Sequence, residues 1–176
     1  MKKQLSFAAF IIMMVASSTL FAQSDKAATS ALAKALRSHK SIEVSFTYQT
    51  SDMEAPKEGK AYFQDGAYKV IQEEQHAISD GKTVWHYIIE EEEVMVGNAT
   101  DDDNPFKILD KLERDNSGIT PVIDSKGNLK KLEIEVDEGA KLTLIITEMK
   151  FDQDFPKGFF SFDEKAYPNV EVIDMR

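Results

Sequence analysis

The sequence predicts a mainly β domain of the α+β kind: a mostly antiparallel meander with one helix before it and one inside it. Three observations predict this. Apolar and polar residues alternate with a period of two from Ile42 onward. Turn dipeptides and isolated glycines separate the alternating runs. Only two stretches show the three- and four-residue apolar spacing of a helix.

The elements follow in order. Met1-Lys2-Lys3 is a short basic start, Leu5 to Phe21 is apolar or small, and Gln23-Ser24-Asp25-Lys26 turns polar after Ala22. That pattern predicts a secretory signal over residues 1–22 and a single exported domain over 23–176. Ala28, Ala31, Leu32, Ala35 and Leu36 then form one apolar stripe. It predicts a helix from about Asp25 to Ser38, capped by Ser24 or Asp25. Ile42, Val44, Phe46 and Tyr48 alternate with polar neighbours and predict the first strand.

Hairpins follow. Asp65-Gly66 separates strands at Lys60–Gln64 and Ala67–Gln72, and Asp80-Gly81 separates Gln75–Ser79 from Lys82–Ile89. Both dipeptides suit a type I′ turn, whose two central residues need positive φ. Glu90 to Glu92 predict a solvated turn into a strand at Glu93–Gly97. Ile119–Asp124, Leu129–Val136, Lys141–Phe151 and Val170–Asp174 supply four more strands, the last at an edge. The second helix begins at Asn104-Pro105, with Phe106, Leu109 and Leu112 at threefold spacing.

Composition removes several functional classes. The 176 residues include no cysteine, which excludes disulfides, thiol catalysis, cysteine-ligated metals and a cysteine-linked lipid anchor. A formal net charge of −10 argues against nucleic-acid partners, which are held by Lys and Arg on phosphates. His39, His76 and His86 form no ligand motif, and no nucleotide-binding or nucleophile-elbow motif is present. Asp101-Asp102-Asp103-Asn104 lacks the glycine and late glutamate of a calcium loop, so the expectation is no metal and no cofactor. What remains is apolar: Trp85, eleven phenylalanines and five tyrosines, many on strands with one polar face. Such a sheet either completes an ordinary core or leaves an apolar groove for a ligand.

Ile78-Ser79-Asp80-Gly81-Lys82-Thr83-Val84-Trp85-His86-Tyr87 resembles the sheet hairpin of the LolA family of periplasmic outer-membrane lipoprotein carriers. Asn104-Pro105-Phe106-Lys107-Ile108-Leu109 resembles the short lid helix of that family. Ile42 to Tyr48 is similar to its first strand, and Phe160-Ser161-Phe162 with Val170 to Asp174 is similar to its C-terminal end. The resemblance implies an unclosed antiparallel β-barrel, a half-barrel, with an N-terminal helix and a short lid helix over its concave apolar face. Together with strand alternation it implies an acyl-chain cavity lined by Val44, Phe46, Tyr62, Tyr68, Val70, Ile78, Trp85, Tyr87, Val94 and Val96. Phe106, Leu109 and Leu112 would form the lid. It also implies a soluble periplasmic monomer and no enzyme, loaded by an inner-membrane lipoprotein-releasing transporter and unloaded to an outer-membrane acceptor.

Two features depart from the family pattern. Asp65 stands near the position of a family arginine that helps hold the lid, and the stretch from Leu112 to Ile119 is short, which implies a smaller and more open barrel. A carrier or sensor of another amphiphile, such as a glycolipid or fatty acid, is the alternative. A hydrolase working through two carboxylates has no motif behind it.

Overall fold

A computed structural model of the protein describes residues 26–100, 118–135 and 140–176. The expected signal segment, both helix-cap candidates and the lid residues Phe106, Leu109 and Leu112 lie outside the described residues. Helix α1 runs over Lys26–Arg37. Ten strands follow: β1 Ser41–Thr50, β2 Lys57–Gln64, β3 Ala67–Gln72, β4 Gln75–Ser79 and β5 Thr83–Ile88. Then come β6 Glu93–Asn98, β7 Ile119–Ile123, β8 Leu129–Glu135, β9 Lys141–Phe151 and β10 Glu171–Asp174. A 3₁₀ turn at Glu164–Ala166 precedes the last strand.

Helix α1 is built largely from alanine, leucine and lysine, all strong helix formers. Among its described side chains, those of residues 29–37, the buried ones are Thr29, Leu32, Ala33 and Leu36, at spacings of three and four. Ala31 and Ala35, expected in the stripe, face solvent. Both stripes contain Leu32 and Leu36; the small Ala33, wholly buried, lets the helix axis approach the sheet on that side.

All ten strands join one sheet in the order β10-β6-β5-β4-β3-β2-β1-β9-β8-β7. Every pairing is antiparallel except β10 with β6, which is parallel. Among the described residues the two edges do not meet, so the sheet is an open half-barrel. Within the mostly antiparallel sheet the strands form two arms. One arm runs consecutively from β1 to β6, the other is β9-β8-β7, and they join where β9 pairs with β1. The pairing along β1 shifts between Ser45 and Phe46, opposite Glu148 and Ile146, which leaves Thr147 as an extra residue in β9.

Turn chemistry matches the expectation at one hairpin and departs from it at the other. Asp65 and Gly66 have φ of 49° and 82°, the two positive values that a type I′ turn requires. At Asp80-Gly81 only Gly81 is in that region, at 85°. There the Asp80 carboxylate accepts from the backbone N–H of Lys82 at 2.9 Å and Thr83 at 2.8 Å, so a side chain closes the turn.

Apolar residues collect on both faces. The larger cluster joins Leu32, Ala33 and Leu36 of α1 to Ile42, Val44, Phe46 and Tyr48 of β1 and to β2, β7, β8 and β9. A second cluster, on the opposite face, joins Ile78, Tyr87 and Val94 to Phe162 of the segment after β9.

Candidate functional site

Cross-strand register divides the sheet into a face that carries α1 and a face that carries the segment 152–170. Side chains alternate except at the bulges, and directly paired residues share a face. On the helix face Val44 pairs with Ala61, Ala61 with Val70 and Val70 with Ala77. One step along the strands lies the row Ile42, Phe63, Tyr68 and Ser79, and one step the other way lies Phe46, Gly59 and Gln72. From β9, Ile146, Met149 and Phe151 pair with Phe46, Val44 and Ile42 and extend the same surface.

Phe46 and Gly59 are fitted to each other. A Cβ added at Gly59 would lie 2.6 Å from two carbons of the Phe46 ring, inside any ordinary contact distance. The glycine therefore makes room for the ring, and the ring is the bulkiest group in its row. Helix α1 shares its core with β1, β2, β7, β8 and β9, and the strand it contacts most is β7. Tyr68 and Ala77 form a separate small cluster with Phe63 and Val70, to which no described helix residue belongs.

The rim near β1 and β2 is polar. The Tyr48 hydroxyl, on a side chain otherwise buried, donates to Glu74 Oε2 at 2.8 Å. The Lys57 ammonium pairs with Glu74 and lies 3.6 Å from Glu73. Burial, with the nearby Glu73 charge, raises the Tyr48 phenol above its ordinary pKa and keeps it a donor. Gln72 and Gln75 face each other, with Nε2 to Oε1 at 3.5 Å, and the Ser79 hydroxyl accepts from the Gly81 N–H at 3.1 Å.

The opposite face has a different cover. Its rows are Glu43, Tyr62, Lys69, Ile78, Trp85 and Val96, and beside them Ile71, His76, Tyr87 and Val94. Phe155 and Phe159 set their rings edge-on to Tyr62, at 5.7 and 5.0 Å. The Lys69 ammonium lies 5.0 Å from the Phe159 centroid. Phe162 and Tyr167 pack on Tyr87 at 5.5 and 4.8 Å. Burial lowers the pKa of Lys69, and burial plus the Lys69 charge lowers that of His76.

The ten strand residues expected to line one cavity therefore do not share a surface. Val44, Phe46, Tyr68 and Val70 stand on the helix face. Tyr62, Ile78, Trp85, Tyr87, Val94 and Val96 stand on the other face, the side covered by the C-terminal segment. The reason is the period: Tyr62 opposes Lys69 whereas Tyr68 opposes Phe63, one residue away. The helix face also carries Ile42, Ala61, Phe63 and Ala77, which are not among the ten expected residues although Ile42 lies in the first alternating run. Among the described residues, no group of three or more His, Asp or Glu side chains could hold a metal. No described helix is long and apolar enough to cross a membrane.

No protein-family model and no curated protein matches the chain. Its structure is similar to that of an uncharacterized conserved protein from Thermus thermophilus, with a TM-score of 0.53 and 10% sequence identity. That alignment covers 86% of this chain and 99% of the other. A DUF1329 family protein from Desulfovibrio piger aligns over 80% of this chain and 98% of its own, with 10% identity and a TM-score of 0.41. What the Thermus protein shares with this chain is the fold.

Proposed function

We propose that the protein is an exported periplasmic carrier that shelters the acyl chains of lipoproteins on the helix face of its half-barrel. In this reading it takes them from an inner-membrane lipoprotein-releasing transporter and yields them to an outer-membrane acceptor. The observation that carries the reading is the helix face itself. Ile42, Val44, Phe46, Ala61, Phe63 and Val70 form adjoining apolar rows on an unclosed sheet; they share one core with α1, while Tyr68 and Ala77 beside them belong to a cluster without a described helix residue. Each methylene moved out of water contributes about 0.8 kcal/mol, so a long acyl chain needs apolar area and shape. It needs no catalytic group, metal or cofactor, and the protein would act as a monomer and not as an enzyme. Phe106, Leu109 and Leu112 would close over the cargo as a lid.

A second reading has its own support. Gln72, Gln75, Ser79 and His86 stand on the helix face beside the apolar rows. Hydrogen-bonding groups there suit an amphiphile with an uncharged polar head, such as a glycolipid.

Native mass spectrometry of protein taken from its own envelope, followed by extraction of the bound species, separates the two cargoes. The carrier reading expects acylated material and an N-terminus at or near Gln23. Phe46→Asp should abolish retention, because an unpaired charge in an apolar site costs several kcal/mol. Tight lipid binding by a folded Phe46→Asp variant would place the cargo elsewhere.

A further inference from the structure

We infer that residues 152–170 form an outer brace that sets how far the half-barrel opens, and so governs release from the opposite face. The first half of this statement stands on the geometry of the segment; the second rests on the carrier reading.

The segment is pinned at both ends. At its start the Asp152 carboxylate accepts from the Lys40 N–H at 2.8 Å and bonds His39 Nδ1 at 2.9 Å. The Ser41 hydroxyl, at the start of β1, donates to the Gln153 carbonyl at 2.6 Å. At its end the chain becomes β10, where Glu171 and Met175 donate to the Glu92 and Val96 carbonyls of the β6 region at 2.8 Å. The ends therefore tie the first strand of the long arm to its last.

Between the pins the hold is different in kind. The hydrogen bonds described for residues 155–170 stay within the segment: Phe159 to Pro156, Ser161 to Gly158, Ala166 to Asp163, Tyr167 to Glu164 and Val170 to Tyr167. What grips the sheet there is aromatic. Phe155 and Phe159 stack on each other at 4.7 Å and meet Tyr62 of β2, while Phe162 and Tyr167 meet Tyr87 of β5.

Length explains why this matters. Crossing from β1 to β6 needs five strand spacings, about 24 Å, and the register sets Glu92 six residues along from the level of Ser41, about 20 Å more lengthwise. Nineteen peptide steps from Asp152 to Glu171 could extend to about 65 Å. The chain is far from taut, so its effective length is set by how its rings pack against the sheet. Loosening the rings lengthens the tie without breaking either pin. An unclosed sheet has no closing strand pair to fix its curvature, and a two-ended tie on one face supplies that constraint.

The test uses the absence of native cysteine. Nitroxide labels at Ser51→Cys and Glu90→Cys, two exposed turn positions beside β1 and β6, report the span across the arm by pulsed electron resonance. Wild type should give a narrow distance distribution. Phe155→Ala/Phe159→Ala should broaden it and lengthen its mean, and should release a fluorescent sixteen-carbon fatty acid several-fold faster without altering any helix-face residue. A cooperative thermal melt confirms that the variant is folded; should it unfold, Phe155→Ala alone is measured and the same results decide. A folded variant with the wild-type distance distribution overturns the brace. A broadened distribution with unchanged release overturns the link to cargo. Failure of wild type to bind the fatty acid would tell against the carrier reading, while the distances still decide the brace.

Discussion

At the scale of single residues, the fit of Phe46 to Gly59 ties sequence to shape most directly. Gly59→Ala would drive a methyl into the ring, and overpacking of this kind costs about 1–3 kcal/mol. Phe46→Leu in the same chain should recover much of that loss, and a double-mutant cycle by denaturant melts measures it. Additive effects would mean that the ring does not rest on the glycine. A second residue, Asp124, should report on pH. Hydrogen bonds from the Asn128 side chain and backbone, then from the Lys126 N–H with the Lys130 charge nearby, hold its carboxyl down at about 2. A carboxyl lowered in the fold contributes stability that is present above its unfolded value near 4 and is lost as pH falls towards 2. Carboxyl carbon titration should therefore find a midpoint near 2, and exchange in the 124–128 hairpin should quicken only below about pH 4. A midpoint near 4 would mean that the carboxylate does not close the turn. Side-chain parity was only half legible at this scale. The Asp65-Gly66 turn already implies that Gln64 faces Ala67, hence that Tyr62 and Tyr68 point opposite ways. Counting through that hairpin would have separated Tyr62 from Tyr68 and Val70.

Elements were more legible than residues. All ten strands fall within a few residues of their expected places, because alternation and turn residues are local signals. The rotation of α1 was not legible, since two stripes share Leu32 and Leu36 and only the sheet chooses between them. That choice has a consequence. Ala33→Leu, at a wholly buried position, should cost about 1–3 kcal/mol, while Ala35→Lys, at an exposed one, should stay within about 0.5 kcal/mol. Thermal melts of the two variants settle the rotation; the reverse order would turn the helix back to the alanine stripe. The C-terminal segment is loop apart from its 3₁₀ turn, as Pro156, Gly158 and Pro168 imply, and its seat on the sheet was the part not legible. Its signal was density of aromatics, five within thirteen residues. Rings so close in a loop must find a surface, and the free face of β2 to β6 is that surface.

For the whole molecule the decisive pairing is β1 with β9. It joins residues about a hundred positions apart and makes β1 the hinge of the two arms. No local signal announces a contact at such separation, which is why the division of the sheet into two arms was not legible in the sequence. The same pairing orders local stability. Strand β1 is bonded on both edges, and Ile42, Val44, Phe46 and Tyr48 all lie in the larger core. Strand β10 has four residues, all exposed, and is bonded on one edge within the described sheet. Amides deep in a doubly bonded, buried strand exchange only through global unfolding, whereas those at an exposed edge open locally. Hydrogen exchange should therefore place amides 44–48 at the slow limit and those of β10 orders of magnitude faster, with β7 also fast at the other edge. The Asp174 carboxylate already accepts from the Arg176 N–H at 3.0 Å, just past the end of the last strand. If β10 instead exchanges as slowly as β1 and slows further with protein concentration, its free edge is being continued by a second copy. The half-barrel would then be open only as an isolated chain.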